Sequence, residues 1–98
     1  MTEIRQTQIF ATWIAKLLDA RARGRIAARI DRLAQGNPGD AKSVGEGVIE
    51  MRIDYGPGYR VYCVRRRPTL WVLLCGGDKS TQDKDVLIAK RLAADLEE

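Results

Sequence analysis

The sequence predicts an α+β fold in which a helical hairpin and a C-terminal helix pack on a small, mainly antiparallel sheet. Three patterns support this prediction. Apolar residues recur at helical spacing in the first third of the chain, alternate or run together over residues 48–75, and form a thin helical stripe near the C-terminus. The predicted order is β-α-α-β-β-β-α. The chain has 98 residues, enough for a single domain, residues 1–98, with one modest core.

Two helices follow a short predicted edge strand, Glu3–Gln6. Apolar spacing over Ile9–Leu18 predicts the first helix, with Thr7 as its N-cap. The second helix is predicted from Arg21 to Gln35, because the segment Gly36–Asp40 combines glycine with proline and so stops a helix. A short connection predicts that the two helices form an antiparallel hairpin.

The second half of the chain predicts three strands and a last helix. Alternation over Val48–Asp54 is typical of a half-buried strand, and Tyr55–Gly58 is a predicted turn. The next segments are a strand, a basic hairpin tip and an apolar central strand: Tyr59–Val64, Arg65–Thr69 and Leu70–Cys75. After two glycines, Ser80 is followed three residues later by Asp83, which predicts the capped start of the last helix.

Composition excludes several classes of site. The chain contains no histidine and no closely spaced cysteine pair, so we expect no metal and no cofactor. Cys63 and Cys75 lie in apolar strands and are predicted to be reduced core thiols. No apolar run approaches the roughly 20 residues that span a bilayer, and the N-terminus lacks a signal-peptide apolar region. These features predict a cytoplasmic protein with no membrane partner.

Positive charge is concentrated in two segments of this chain of net charge +4. Residues 21–35 carry five arginines against one aspartate, and residues 59–72 carry four arginines. A basic stripe is typical of a surface that contacts a nucleic-acid backbone, although a solvated amphipathic face is the alternative explanation. The segment Gly76–Gln82 lacks the spacing of a nucleotide-binding P-loop, so ATP or GTP binding is not predicted.

Strand parity predicts one polar face of the sheet. Its members are Glu50 and Arg52 on one strand and Arg60 and Tyr62 on the next, because an unpaired charge avoids the core. Lys79, beyond the glycine pair, and Lys42, in the predicted loop before the sheet, are expected to reach the rim of this face. A solvated cross-strand cluster of charges is the alternative explanation.

This set of side chains suits cleavage of RNA by its own 2′-OH. The reaction needs a base, cations that stabilise the charged pentacoordinate phosphorus, and an acid for the leaving oxygen. Arg52 and Arg60 are the predicted stabilising cations, and Glu50, Lys79, Tyr62 or a guanidinium would have to move the protons. Because histidine is absent, activity on free RNA should be low. The predicted substrate contacts are Tyr62, Lys42, Arg25, Arg29, Arg32, Arg66 and Lys84.

Seven stretches, in order along the chain, carry a family resemblance: Phe10-x-x-Trp13, Arg25–Leu33, Gly36–Asp40, Val44–Val48, Glu50–Ile53, Gly56–Tyr62 and Gly76–Gln82. Through them the chain resembles the RelE/ParE superfamily of bacterial toxins, and more closely its HigB-type branch. The resemblance implies a helical hairpin against a small antiparallel sheet, and the toxin of a toxin–antitoxin module that arrests growth.

The resemblance also implies roles for particular residues. Arg60 matches the strand arginine that faces the scissile phosphate, and Lys79 falls near a second phosphate-binding cation. Glu50 and Arg52 fall where RelE-like enzymes carry two catalytic lysines, so the general base is left open.

RelE-like toxins cut mRNA in the ribosomal A site without metal, whereas ParE-like toxins poison DNA gyrase. The leading hypothesis is a ribosome-dependent mRNA endonuclease, an mRNA interferase, that forms a hetero-oligomer with a small helix-turn-helix antitoxin. The alternatives are a gyrase inhibitor and a catalytically degenerate module that only binds its antitoxin.

Overall fold

The fold is α+β, as predicted, with three helices packed on a five-stranded mixed sheet. A computed structural model describes residues 2–96. In chain order the elements are β1 (Glu3–Gln6), α1 (Gln8–Lys16), α2 (Ala20–Ala34), β2 (Ala41–Gly45), β3 (Val48–Ile53), β4 (Tyr59–Arg67), β5 (Leu70–Gly77), a 3₁₀ turn (Lys79–Thr81) and α3 (Gln82–Asp95). None of the helices within residues 2–96 is long and apolar enough to cross a membrane.

The strand order of the sheet is β1-β5-β4-β3-β2, with β1 parallel to β5 and every other pair antiparallel. In the β3–β4 pair, Glu50 lies opposite Tyr62 and Arg52 lies opposite Arg60. Because directly opposed residues in an antiparallel pair share a face, these four side chains lie on one side of the sheet. The predicted common face is therefore confirmed.

Helices cover both sides of the sheet. One core contains Phe10 of α1 together with Ile26 and Leu33 of α2, and the other is built around Ala89 and Ala93 of α3. The main contacts of α1 and α2 are with β5 and β3, respectively, rather than with each other. The two helices are thus held mainly through the sheet and not by the mutual packing predicted for a hairpin, and α3 covers the face that carries Glu50 and Arg60.

Two strand predictions need correction. Residues Ala41–Gly45, predicted as a loop, form the edge strand β2, so that Lys42 lies in register with Glu50. The strand is short and mostly polar, so its own sequence gives little indication of a strand. Hydrogen-bonded pairing with β3 stabilises the extended conformation instead. Strand β4 also continues to Arg67, three residues beyond the prediction, which reduces the hairpin tip to the turn at Pro68 and Thr69.

The start of the last helix was also predicted wrongly. Asp78, not Ser80, is the capping residue here, but it caps the 3₁₀ turn that precedes α3, and its Oδ1 accepts a hydrogen bond of 2.8 Å from the backbone N–H of Ser80. Thr81, not Asp83, completes the capping box of the 3₁₀ turn, and α3 begins at Gln82. Aspartate is as good a cap as serine, so the earlier residue captures the free N–H groups.

Both cysteines are buried free thiols, as predicted. Burial raises the pKa of Cys63 to about 12 and, together with the charge of Asp85, raises the pKa of Cys75 to about 12. Both thiols are therefore protonated at neutral pH and behave as small apolar side chains.

Candidate active site

Three predicted cations converge on one shallow pocket of about 290 Å³ at the ends of β3 and β4. The residues that line it are Asp40, Arg52, Ile53, Asp54, Gly58, Arg60 and Lys79. Two planar guanidinium groups and one ammonium group at a common opening favour a phosphate or another compact anion. The pocket is therefore the leading candidate for the reaction site.

Arg60 is the most enclosed cation of the pocket, with a side chain only 11% exposed. Its Nη1 donates a hydrogen bond of 2.6 Å to the carbonyl oxygen of Gly58. Within residues 2–96 no acceptor lies at hydrogen-bond distance from its Nε, although a Glu50 carboxylate oxygen lies 3.8 Å away. The Arg60 charge is enclosed and is only partly compensated by Glu50, so Arg60 is suited to bind an anion at the pocket opening.

Glu50 lies behind the two arginines and is completely buried. Its Oε1 accepts a hydrogen bond of 3.3 Å from Nε of Arg52, and its Oε2 accepts one of 3.0 Å from the Tyr62 hydroxyl. The amide nitrogen of Gln82, the first residue of α3, lies 3.2 and 3.0 Å from the two oxygens. The carboxylate therefore links its own strand β3 to β4 and to the start of α3.

The predicted polar face required Glu50 and Tyr62 to face solvent. The structure shows that both are buried instead. The alternative of a solvated charge cluster fails for the same reason, because both side chains have no exposed area. Helix α3 lies over them, and this placement comes from tertiary packing rather than from the alternation within β3 and β4.

The protonation states argue against proton transfer by either residue. Burial favours the neutral form of Glu50, but the hydrogen bonds from Gln82, Tyr62 and Arg52 and the charge of Arg60 outweigh it and lower the pKa. Burial, and then the hydrogen bond and charge of Glu50, raise the pKa of Tyr62 far above its ordinary value. Glu50 is therefore a weakly basic, enclosed anion that fixes Arg52 and Arg60, and Tyr62 supports it rather than contacting substrate.

A pH-dependent stability difference follows for Glu50→Gln. Because the pKa of Glu50 is lower in the folded protein than its ordinary value of 4.5, ionised Glu50 stabilises the fold above that value. The contribution is lost as the pH falls through the lowered folded pKa. We expect Glu50→Gln to be less stable than wild type at pH 7 and the gap to narrow at pH 3, as measured by urea unfolding. A gap of equal size at both pH values would contradict this assignment.

The two predicted rim lysines occupy different positions. Lys79 is exposed in the 3₁₀ turn and lines the pocket, as predicted. Lys42 is exposed on the edge strand β2, opposite Glu50 in register, and does not line the pocket. Lys84 is exposed on α3 and lines a separate hollow next to Lys79.

Comparison with known proteins assigns the family. Residues 13–94 match the family described as phage derived protein Gp49-like (DUF891). The chain belongs to the Gp49-like family. An uncharacterized protein of Haemophilus influenzae is 54% identical over 94 residues, which cover 96% of this chain and 95% of that protein.

The predicted membership of the RelE/ParE superfamily, and of its HigB-type branch, is therefore wrong. The Gp49-like family is distinct from RelE/ParE, although it occurs in related toxin–antitoxin contexts. The family is phage-derived and its members are often toxin-like within such modules. Some stretches that suggested the other family serve the fold itself, since Gly36–Asp40 follows the end of α2 and Gly76–Gln82 carries the chain from β5 into α3.

Arg29 of this Gp49-like chain does not have the predicted role of a free RNA contact. Its guanidinium donates hydrogen bonds to the carbonyl oxygens of Pro38 at 2.9 Å, Asp40 at 3.0 Å and Arg52. Desolvation and the charge of Arg32 lower the pKa of Arg29. Arg29 therefore braces the loop before β2 against β3, next to the pocket.

The other two predicted arginines of α2 remain on the surface. Arg25 and Arg32 are exposed, and the guanidinium of Arg25 lies 4.8 Å from the centre of the Tyr55 ring. Both line a second hollow of about 260 Å³ that shares Ile53 and Asp54 with the cationic pocket. The predicted basic stripe thus continues from the pocket along α2, with Arg29 as its fixed centre.

Arg66 of the Gp49-like chain also differs from its prediction. It lies near the far end of β4 from Arg60, and its Nη2 donates a hydrogen bond to the carbonyl oxygen of Ala93. A cation beside the C-terminus of a helix stabilises the free carbonyl groups there. Arg66 therefore fastens α3 to the sheet rather than probing RNA from a hairpin tip.

The prediction missed Gln82 as a member of the site. Gln82 precedes Val86, Ala89 and Ala93 by four, seven and eleven residues, so it extends the apolar stripe of α3 by one turn. A polar residue on the buried side of a helix needs a partner, and this was the signal that could have identified it.

Proposed function

We propose that this protein is a toxin that cleaves mRNA on the ribosome, without metal or cofactor, and so arrests growth. The observation that carries the proposal is the convergence of Arg52, Arg60 and Lys79 on one pocket, with the two arginines held from behind by a buried, ionised carboxylate. The toxin-like character of the family supports the same class of function.

In the proposed reaction the RNA 2′-oxygen attacks the adjacent phosphorus. A bond forms between O2′ and phosphorus, and the bond from phosphorus to O5′ breaks. The 2′-OH gives up its proton and O5′ gains one, which leaves a 2′,3′-cyclic phosphate and a 5′-OH. Arg60 and Arg52 stabilise the negative charge that builds up on the phosphoryl oxygens in the transition state.

The requirement for a ribosome follows from what the pocket lacks. The chain has no histidine, and its buried Glu50 has a lowered pKa. Exposed Lys79 is the group of the pocket that we assign to proton movement. A ribosome that holds the mRNA in line for attack supplies the alignment that the small pocket does not, and alignment alone is worth several kcal/mol. In this proposal Arg25 and Arg32 contact the ribosomal RNA backbone.

The proposal includes a partner. A small helix-turn-helix antitoxin forms a hetero-oligomer with this cytoplasmic toxin and blocks its activity. A reading frame for such a protein beside the gene, and its co-purification with the toxin, are the expected observations.

The 2′-OH mechanism can be tested with purified ribosomes programmed with a defined mRNA. We expect wild-type protein to cut the message and leave a 2′,3′-cyclic phosphate. A single 2′-deoxy substitution at the nucleotide before the cut should abolish cleavage there, while a 2′-deoxy substitution several nucleotides away should not.

Three results would contradict the proposed function. Undiminished cutting of the deoxy-substituted message excludes the 2′-OH mechanism. Inhibition of DNA gyrase supercoiling with no cleavage of ribosome-bound mRNA favours the gyrase alternative, and absence of both activities favours a degenerate antitoxin-binding module.

A further inference from the structure

The glycine pair at the end of β5 has close contacts on both sides of the sheet. A Cβ on Gly76 would overlap the Trp13 ring on the side covered by α1. A Cβ on Gly77 would overlap Oδ2 of Asp85 and lie 2.9 Å from Oγ1 of Thr81 on the side covered by α3. The absence of a side chain at Gly77 allows the first turn of α3 to approach the backbone of β5, and its absence at Gly76 does the same for Trp13 of α1.

The segment after the glycines fixes the entry angle of α3. Asp78 accepts hydrogen bonds from the backbone and the hydroxyl of Ser80, at 2.8 and 2.5 Å. The hydroxyl of Thr81 then donates a hydrogen bond of 2.5 Å to Oδ2 of Asp85, which is only 8% exposed. These contacts fix the position at which α3 begins. Its first residue is Gln82.

Gln82 faces the carboxylate that holds the pocket arginines. Its Nε2 donates towards both oxygens of Glu50, from the side opposite the sheet strands. It is a neutral donor, so it satisfies the carboxylate without competing for the charge of Arg52 or Arg60. Gln82 does not itself line the cationic pocket.

We propose that Gln82 is a positioning residue that, through Glu50, sets the orientation of the Arg52 and Arg60 guanidinium groups towards the scissile phosphate. This inference rests on the proposed function and adds to it a role for the segment Gly76–Gln82. This segment positions the start of α3 so that the side-chain amide of Gln82 reaches the Glu50 carboxylate behind the pocket. Without the amide, one side of the Glu50 carboxylate has no hydrogen-bond donor. The carboxylate then rotates, and the Arg52 and Arg60 guanidinium groups that contact it change their orientation.

The test compares two substitutions of the same chemistry at the first residue of two helices. Gln82→Glu replaces the donor with a second carboxylate beside Glu50, and Gln8→Glu makes the same change at the exposed start of α1. Gln82→Met removes the donor without adding charge and keeps the inference testable if Gln82→Glu does not fold. Each protein is assayed for thermal unfolding, for the NMR signals of the Arg52 and Arg60 Nε–H groups, and for kcat and KM on ribosome-bound mRNA.

We expect both Gln82 variants to shift the Nε–H signals of Arg52 and Arg60 and to lower kcat at least about tenfold, which corresponds to about 1.4 kcal/mol of transition-state stabilisation. Gln8→Glu should leave the signals and kcat unchanged. A folded Gln82→Met with wild-type arginine signals and wild-type kcat would overturn the positioning role. The NMR result is independent of the proposed function. If wild type cuts no mRNA but the signals still shift, the proposed function fails and the arrangement of the three residues stands.

Discussion

Arg60→Ala is expected to lower the rate of cleavage of ribosome-bound mRNA by about 10²–10³-fold, the usual cost of removing one preorganised donor from a charged transition state. Arg60 is the most enclosed cation of the pocket, and its guanidinium is positioned by the Glu50 carboxylate on one side and the Gly58 carbonyl on the other. Arg60→Lys should restore part of the rate, because it keeps the charge but not the planar, two-pronged donor geometry.

The matched control is Arg5→Ala, which removes an exposed arginine from the edge strand β1, away from the pocket. It should cut at the wild-type rate. Circular dichroism should show that both alanine variants are folded, since Glu50 keeps its hydrogen bonds from Gln82, Tyr62 and Arg52 without Arg60. Equal cleavage rates for Arg60→Ala and wild type would remove Arg60 from the reaction.

Gly77→Ala is expected to lower the free energy of unfolding by about 2–3 kcal/mol. The new Cβ would overlap Oδ2 of Asp85 and lie 2.8 Å from its Cγ, and Asp85 is buried against the strand. Either Asp85 must leave its hydrogen bond with Thr81, or α3 must shift away from β5 and draw Gln82 away from Glu50. Urea unfolding measures the loss, and the cleavage rate of the folded protein should fall as well.

Gly24→Ala adds the same methyl group where nothing lies within 4 Å, in the middle of α2. Since alanine is a better helix former than glycine, we expect this variant to be more stable than wild type by about 0.5–1 kcal/mol. A Gly77→Ala variant that is as stable as wild type would show that α3 does not depend on close approach at this glycine.

Local sequence patterns correctly predicted the two helices whose caps and apolar spacing lie within the helix or directly beside it. Thr7 caps α1, as expected, and the boundaries of α2 differ by one residue from those read from the spacing of Ile26, Ile30 and Leu33. Strand β2 was missed because its five residues carry little apolar signal and depend on pairing with β3. The start of α3 was misplaced because Asp78 caps a 3₁₀ turn that precedes the helix, and α3 itself begins at Gln82 without a side-chain cap.

The alternation of side chains along β3 and β4 was enough to predict which residues of the site share a face of the sheet. Parity placed Arg52 beside Arg60, and the position of Lys79 after the glycine pair placed it at the rim. Parity does not report which face a distant helix covers, so the burial of Glu50 and Tyr62 was not foreseen. The fixed roles of Arg29 and Arg66 also depend on carbonyl groups that are distant in sequence, and charge alone does not distinguish such arginines from free ones.

The central claim is that the scissile phosphate of mRNA lies in the pocket formed by Arg52, Arg60 and Lys79. The most direct test is a cryo-electron microscopy structure of this protein on a ribosome whose mRNA carries a 2′-deoxy nucleotide at the cut position and so cannot react. We expect the phosphate after that nucleotide to lie at hydrogen-bond distance, about 2.7–2.9 Å, from the Arg60 guanidinium. A bound protein whose pocket faces away from the mRNA, with that phosphate held by other residues, would contradict it.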